Sequence, residues 1–104
     1  MYARVVTNPG NPDDVNKADE FLDIVRNSVL PAAKSQKGFK GYLLLGDRTT
    51  GKTIGITLWE SEADRDATGP DSEYYRKNMG QLASVSTAAA PAAIVENLEV
   101  LVRE

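Results

Sequence analysis

The sequence predicts an α+β protein of the ferredoxin-like class, with the element order βαββαβ and one antiparallel sheet. Four segments are rich in β-branched and aromatic residues, and the segments between them have apolar residues at helical spacing. In this order each helix connects two strands, and the helices cover one face of the sheet. The length of 104 residues fits a single domain spanning residues 1–104.

The N-terminal third predicts one strand and one helix. The stretch from Tyr2 to Thr7 is β-branched and aromatic, and it ends at a cluster of Asn, Pro and Gly residues. From Asp13 onward apolar residues recur at steps of three and four, which indicates an amphipathic helix. Pro31 removes one intrahelical donor, so we expect this helix to kink or restart near Leu30.

The middle of the chain predicts a β-hairpin. Residues 39–45 and 52–59 both have strand composition, and a polar turn with two glycines separates them. Alternation along the second strand divides its side chains between two faces, with Ile54, Ile56 and Leu58 on one and Gly55, Thr57 and Trp59 on the other.

The C-terminal part predicts two helices and a last strand. Ser61, followed by Asp64 three residues later, is typical of a helix N-terminus, and the Thr68-Gly69-Pro70 sequence ends that helix early. A further helix is expected from Asp71 to about Ser84, a connector from Ser84 to Ala93, and a strand from Ile94 to Val102.

The composition excludes several classes of function. There is no histidine and no cysteine, so an imidazole base, a thiol nucleophile and a thiolate metal site are all excluded. The 12 Lys and Arg against 15 Asp and Glu give a net charge of -3, which does not indicate nucleic-acid binding. We also expect no membrane span and a cytoplasmic location, because no apolar run reaches ~18 residues and the N-terminus lacks a signal-peptide pattern.

One motif matches the sequence of a nucleotide-binding loop but not its expected secondary structure. Residues 46–53, GDRTTGKT, fit the phosphate-binding pattern GxxxxGK[ST]. A phosphate loop requires a helix after it, whereas the residues that follow here predict a strand. We therefore interpret this segment as a polar hairpin turn. The carboxylate pairs elsewhere lie at predicted helix starts, so we assign no metal.

Several polar and aromatic residues are candidates for a ligand pocket. Trp59, the single tryptophan, is either a core or interface aromatic or the wall of a pocket. Tyr74 and Tyr75 are adjacent on a helix and diverge by about 100°, so we expect one of them to line a cleft or an interface. Arg4 and Asn8 share one face of the first strand, and Asn8 is also suited to capping the loop after it.

Two motifs around the hairpin resemble a known family. The sequence Gly38-Phe39-Lys40-Gly41-Tyr42 before it and Leu58-Trp59-Glu60-Ser61-Glu62-Ala63-Asp64 after it, with the order of elements, resemble the antibiotic biosynthesis monooxygenase superfamily of dimeric α+β barrels. The resemblance implies a homodimer in which two sheets close one barrel, with a small pocket in each subunit. A second copy would also cover the sheet face that the helices leave open.

The resemblance limits the activities to be expected. The superfamily includes cofactor-independent oxygenases of phenols and quinols and also haem-degrading enzymes. Trp59 matches the family's Trp at the end of the third strand, and Asn8 matches the first-strand Asn of the haem-degrading branch. That branch requires a haem-ligating His, for which this chain offers Met79, so haem degradation is not expected. Some quinone-forming members have an Asn four residues before the Trp, where this chain has Gly55.

The expected function is a cofactor-independent monooxygenase that oxidises a small phenolic or quinol-type compound. The candidate pocket residues are Trp59, Asn8, Arg4, Tyr42 and Tyr75. No cofactor and no metal are expected, and the catalytic residue is left unassigned. The alternative is a non-catalytic dimeric barrel that binds a small aromatic or apolar ligand, and a third is a monomeric interaction module.

Overall fold

A computed structural model describes residues 1–10, 16–83 and 93–104, and it confirms the α+β, ferredoxin-like fold. One sheet contains four strands in the order β2-β3-β1-β4. These strands are β1 Tyr2–Asn8, β2 Phe39–Gly46, β3 Thr53–Trp59 and β4 Ile94–Glu99. All three pairings are antiparallel. In this order β1 and β3 are the central strands, and β2 and β4 are the edge strands.

The last strand is shorter than the sequence predicted. It ends at Glu99 instead of Val102, because Glu99 pairs with Tyr2, the first residue of β1, and the paired ladder ends there. A single further bond, from the Val100 amide to the Met1 carbonyl, closes this end.

The first helical region has three parts, which are α1 Ala18–Ile24, a π-helical turn Val25–Val29 and α2 Leu30–Lys34. The α-helix restarts at Leu30, as Pro31 predicted, and the Leu30 amide donates to the Val25 carbonyl. Val25, Val29 and Ala33 lie four residues apart and form the buried stripe of this region. The expected start at Asp13 lies outside the described residues.

Two helices follow the hairpin, α3 Glu62–Ala67 and α4 Glu73–Ala83. The Ser61 hydroxyl accepts from the Asp64 amide at 3.0 Å, which confirms the predicted cap of α3. The Ser72 hydroxyl accepts from the Tyr75 amide at 3.1 Å at the start of α4. Most of the predicted connector, residues 84–92, lies outside the described residues. No helix among those described is long and apolar enough to cross a membrane.

Residues 46–53, which match the sequence of a phosphate-binding loop, span the turn between β2 and β3. The Asp47 carboxylate accepts from the backbone amides of Thr49 at 2.8 Å and Thr50 at 3.3 Å. Gly51 supplies the positive φ of 80° that the turn requires. Strand β3 follows directly, so no helix N-terminus points at the loop.

A β-bulge in β2 sets the orientation of its side chains. Phe39 pairs with Trp59 and Gly41 with Leu58, so Lys40 is the extra residue. Beyond the bulge Tyr42 pairs with Thr57. Phe39 and Tyr42 therefore lie on the same, helix-covered face although they are three residues apart.

The opposite face of the sheet is apolar and open. Its exposed side chains include Leu43 at 54%, Leu45 at 45%, Ile94 at 55% and Leu98 at 47% of their full accessible area. The predicted alternation of β3 is confirmed, because Gly55 and Thr57 lie on the helix side and Ile54, Ile56 and Leu58 belong to the open face.

Candidate ligand-binding site

A cavity of about 480 Å³ lies between the helix-covered face of the sheet and the helices. This volume is within the usual range of pockets for small organic molecules. The floor comes from β1, β2 and β3, and the other walls come mainly from α1, the π-helical turn and α4.

Strand register arranges the floor in rows. The first row places Tyr42, Thr57 and Arg4 side by side across three strands. The second row is Leu44, Gly55 and Val6, and the third contains Thr53 and Asn8. Because a strand rises about 3.3 Å per residue, Arg4 and Asn8 are separated by about 13 Å along β1. The floor therefore has polar ends and an apolar middle.

Gly55 gives the floor its depth. A side chain at this position would rise into the cavity, and its Cβ would meet the Tyr42 hydroxyl at 3.6 Å. That hydroxyl has no hydrogen-bond partner in the part of the chain that the structure describes, and burial raises the pKa of Tyr42 to about 12. Tyr42 is thus a neutral phenol with a proton to donate into the cavity.

Arg4 is the charged group of the site, and its side chain is held by neutral acceptors. Nε donates to Asn97 Oδ1 at 3.1 Å, Nη1 to Thr68 Oγ1 at 3.0 Å and Nη2 to the Arg65 carbonyl at 2.8 Å. The residue is only 4% exposed. Burial, and then the neighbouring Arg65, lower the pKa of Arg4 below its ordinary value, which still leaves it charged at neutral pH.

The C-terminal end of α3 and the turn after it bind the guanidinium group of Arg4. Thr68 accepts from Arg4 and donates to the Arg65 carbonyl at 2.8 Å. Gly69 packs against the same group, since a Cβ there would lie 3.2 Å from Arg4 Nη2. Arg65 itself contacts Asp66 at 3.0 Å and lies over the ring of Tyr2. The Thr68-Gly69 sequence that ends α3 therefore also positions the cation.

Helix α4 covers the cavity with both of its tyrosines. Tyr74, Tyr75 and Asn78 lie on its wall, together with Met79 and Leu82 at helical spacing. The sequence predicted one tyrosine at a cleft, and the structure places both there. Burial raises the pKa of each, while Arg4 opposes the shift, as does a hydrogen bond from Asn78 to Tyr74.

The structure brings four of the five candidate residues to this cavity. Arg4, Asn8, Tyr42 and Tyr75 line it, whereas Trp59 lies outside its wall. Trp59 is 0% exposed and packs edge-on against Phe39, with ring centroids 6.0 Å apart. Its Nε1 donates to Oγ1 of the lining residue Thr57 at 2.9 Å. The interpretation as a core aromatic fits this geometry.

Asn8 has two roles in the structure. Its Oδ1 accepts from the Gly10 amide at 3.4 Å, which is the expected cap of the following loop. Its side chain also lines the far end of the cavity, where the amide group is a donor of hydrogen bonds.

Sequence reasoning missed Thr57, Thr68 and Asn78. Thr57 was placed on the correct face, but an alternating strand does not indicate which residues border a cavity. Asn78 is 4% exposed and lies four residues after Tyr74, so the helical spacing was the available signal. Within the described ranges no cluster of three or more carboxylates is arranged to hold a metal ion.

Comparison with known proteins shows the fold. No protein-family model matches the chain, and no curated protein matches its sequence. Among solved structures, an antibiotic biosynthesis monooxygenase aligns over 97% of this chain and 99% of its own, with 15% identity and a TM-score of 0.68. A protein of unknown function from Nitrosomonas europaea, NE2512, aligns over 99% of this chain and 91% of its own, with 18% identity and a TM-score of 0.70.

A ligand complex is present in a third similar structure. This is a monooxygenase from the gene ActVA-Orf6 of Streptomyces coelicolor in complex with nanaomycin D. It aligns over 99% of this chain and 91% of its own, with 15% identity and a TM-score of 0.67. The chain therefore has the fold of antibiotic biosynthesis monooxygenases, as the resemblance of its sequence predicted.

Proposed function

We propose, from the fold that this chain shares with antibiotic biosynthesis monooxygenases, that it oxidises a small phenolic or quinol-type compound with O₂ in the cavity. For a phenol that becomes a quinone, one oxygen atom enters the ring and the other leaves as water. The substrate supplies all four electrons that reduce O₂, so no added reductant and no cofactor are required. The protein must bind the substrate, stabilise its ionised oxygen and limit water.

The observation that supports this proposal is the pair formed by Arg4 and Tyr42 on the first row of the floor. Arg4 is charged, the Tyr42 hydroxyl has no hydrogen-bond partner among the described residues, and both residues border the cavity. Together they stabilise a phenolate oxygen, the form of a phenol that gives an electron to O₂ most readily. The apolar middle row, Leu44, Gly55 and Val6, receives the ring.

Oxygen uptake with a panel of hydroquinones and naphthols tests the proposal. We expect faster O₂ consumption with protein than without it, and incorporation of one ¹⁸O atom from ¹⁸O₂ into the product. Gly55→Val fills the floor and should abolish the acceleration. Gly80→Val is the matched control, because Gly80 is exposed and a Cβ there meets no atom of another described element within 4 Å. Equal rates with and without protein contradict the proposal.

A binding protein without catalysis is the second candidate, and the composition of the wall favours it. None of the described lining residues is Asp, Glu or His, so the wall offers no general base. Under this alternative the cavity holds an aromatic ligand without converting it. Native mass spectrometry would then show a stable complex, and the ligand would be recovered unchanged under O₂.

We further propose that the open sheet face pairs with a second copy of this chain. The exposed leucines and isoleucine of that face lie on the edge strands β2 and β4, and the apolar residues Ile56 of β3 and Val5 of β1 lie between them. Light scattering should therefore give twice the chain mass of 11.3 kDa. Leu43→Glu combined with Leu98→Glu should give the monomer mass, whereas Lys34→Glu on exposed α2 should not change it. A wild-type monomer would contradict this pairing.

A further inference from the structure

Among the described residues, the wall of the cavity has one more positive charge than its neighbours neutralise. Asp66 is the carboxylate that acts on Arg4 electrostatically, and it makes its ion pair with Arg65 at 3.0 Å. Two guanidinium groups therefore share one carboxylate. The excess charge lies on Arg4, which makes no ion pair within the described ranges and is 4% exposed.

The hydrogen bonds of Arg4 leave it ready to receive an anion. A guanidinium group has five N–H donors, and three of them go to Asn97, Thr68 and the Arg65 carbonyl. All three acceptors are neutral, so they orient the cation without cancelling its charge. A buried charge that lacks a counter-ion is unfavourable, and a bound anion relieves that cost.

The described groups that face Arg4 from the neighbouring elements do not supply that negative charge. Asp66, on α3, is already paired with Arg65, and on α4 the residues are Tyr74 and Tyr75. Burial keeps the pKa of both tyrosines raised, so they are neutral at physiological pH. The neighbours on the strands are the uncharged Thr57 and Asn97.

We infer that the cavity selects ligands with an ionised oxygen acid, a phenolate or a carboxylate, and that this oxygen binds Arg4. The inference rests on the proposed function only in taking this cavity as the binding site. It adds that the ligand enters already ionised, because the described wall has no base to remove its proton. Substrates would then be acidic phenols, enols or aromatic acids, and neutral compounds of the same shape would be rejected.

Two matched pairs of aromatic probes test this selectivity by calorimetry at neutral pH. The first pair is 4-nitro-1-naphthol, which is ionised under these conditions, and its methyl ether 1-methoxy-4-nitronaphthalene, which cannot ionise. The second pair is 2-naphthoate and the neutral 2-naphthamide. We expect the anion of at least one pair to bind about 10- to 100-fold more tightly than its neutral partner, the range for a hydrogen bond to a charged group.

The pairs also identify the head group. Preference for the naphtholate alone indicates a phenolate ligand, and preference for the naphthoate alone indicates a carboxylate ligand. Binding of the naphtholate should weaken as the pH is lowered through the ionisation of the probe, because Arg4 remains charged throughout. Equal affinity within both pairs, or no binding of either anion, would overturn the inference.

Variants of Arg4 provide a second measurement. Arg4→Met should remove the preference for the anion, and Arg4→Lys should retain part of it. Arg48→Met is the control, since Arg48 lies on the exposed hairpin turn, and it should bind the probes like wild type. If Arg4→Met does not fold, the affinities of the wild-type protein for the two probe pairs still test the preference for an anion.

Oxygen uptake with the panel of hydroquinones and naphthols, measured on the same protein, separates this inference from the proposed function. Preferential binding of the anion without O₂ consumption leaves the inference standing and contradicts the oxygenase. Oxidation of the phenols, together with equal affinity for the anionic and neutral probes, supports the oxygenase and overturns the inference.

Discussion

The substitution Thr68→Val tests whether the turn after α3 holds Arg4 in place. Thr68 is 3% exposed, and valine has nearly the same shape. The change removes the acceptor of Arg4 Nη1 at 3.0 Å and the donor to the Arg65 carbonyl at 2.8 Å. A hydrogen bond to a charged group is worth about 1.5–3 kcal/mol and a neutral one about 1 kcal/mol.

The added methyl group offsets part of this loss, by about 0.8 kcal/mol. We therefore expect the free energy of unfolding to fall by about 2–3 kcal/mol, which lowers Tm by roughly 10 °C for a domain of this size. Urea unfolding followed by circular dichroism measures the change. Variants must be compared at one protein concentration, because association would make stability depend on concentration.

Thr49→Val, on the exposed hairpin turn, is the matched control and should change stability by less than about 0.5 kcal/mol. A Thr68→Val variant as stable as this control would show that Thr68 does not hold Arg4 in place. The same variant should also weaken the preference for anionic probes, because Arg4 keeps its charge but loses one of the contacts that orient it.

Three further changes test other parts of the site. Folding raises the pKa of Tyr42 to about 12, from about 10 in the unfolded chain. The protonated phenol therefore contributes its full stabilisation below about pH 10, and this contribution is lost as the pH rises from about 10 towards 12. Wild type should therefore lose more stability than Tyr42→Phe between about pH 9 and about pH 11, and equal losses would contradict this assignment. Gly55→Ala should retain ligand binding, because its Cβ would be 3.6 Å from the Tyr42 hydroxyl, whereas Gly55→Val should weaken binding at least about tenfold by filling the floor. Trp59→Phe should lower the free energy of unfolding by about 1–3 kcal/mol, yet change ligand affinity by less than about threefold, because Trp59 is outside the wall. A large loss of affinity with unchanged stability would return Trp59 to the site.

Local patterns in the chain predicted the elements correctly because each depends on neighbours in sequence. Alternation along β3, the restart of the helix before Pro31 and the Ser61 cap all follow from contacts within a few residues. A local pattern also excluded a phosphate loop at residues 46–53, because the residues from Thr53 onward have the composition of a strand and not of a helix. The end of β4 was wrong because it depends on where its partner strand begins.

Which side chains meet in the cavity depends on relations that are distant in sequence. The bulge at Lys40 decides that Tyr42 and Phe39 share a face, and strict alternation would have separated them. Trp59 and Thr57 both lie on the helix-covered face of β3. Trp59 packs against Phe39 and does not line the cavity, whereas Thr57 does. The sequence motif alone cannot make that distinction.

The sequence by itself determined the order of strands and helices, the absence of histidine and cysteine chemistry, and the presence of Arg4 and Asn8 on one face of β1. Only the tertiary structure decided that Arg4 is a buried cation with no counter-ion of its own among the described residues. Its three acceptors lie 61, 64 and 93 residues away along the chain, and the nearby carboxylate of Asp66 is paired with Arg65. The charge balance of a site is a sum over neighbours in space, and folding chooses those neighbours.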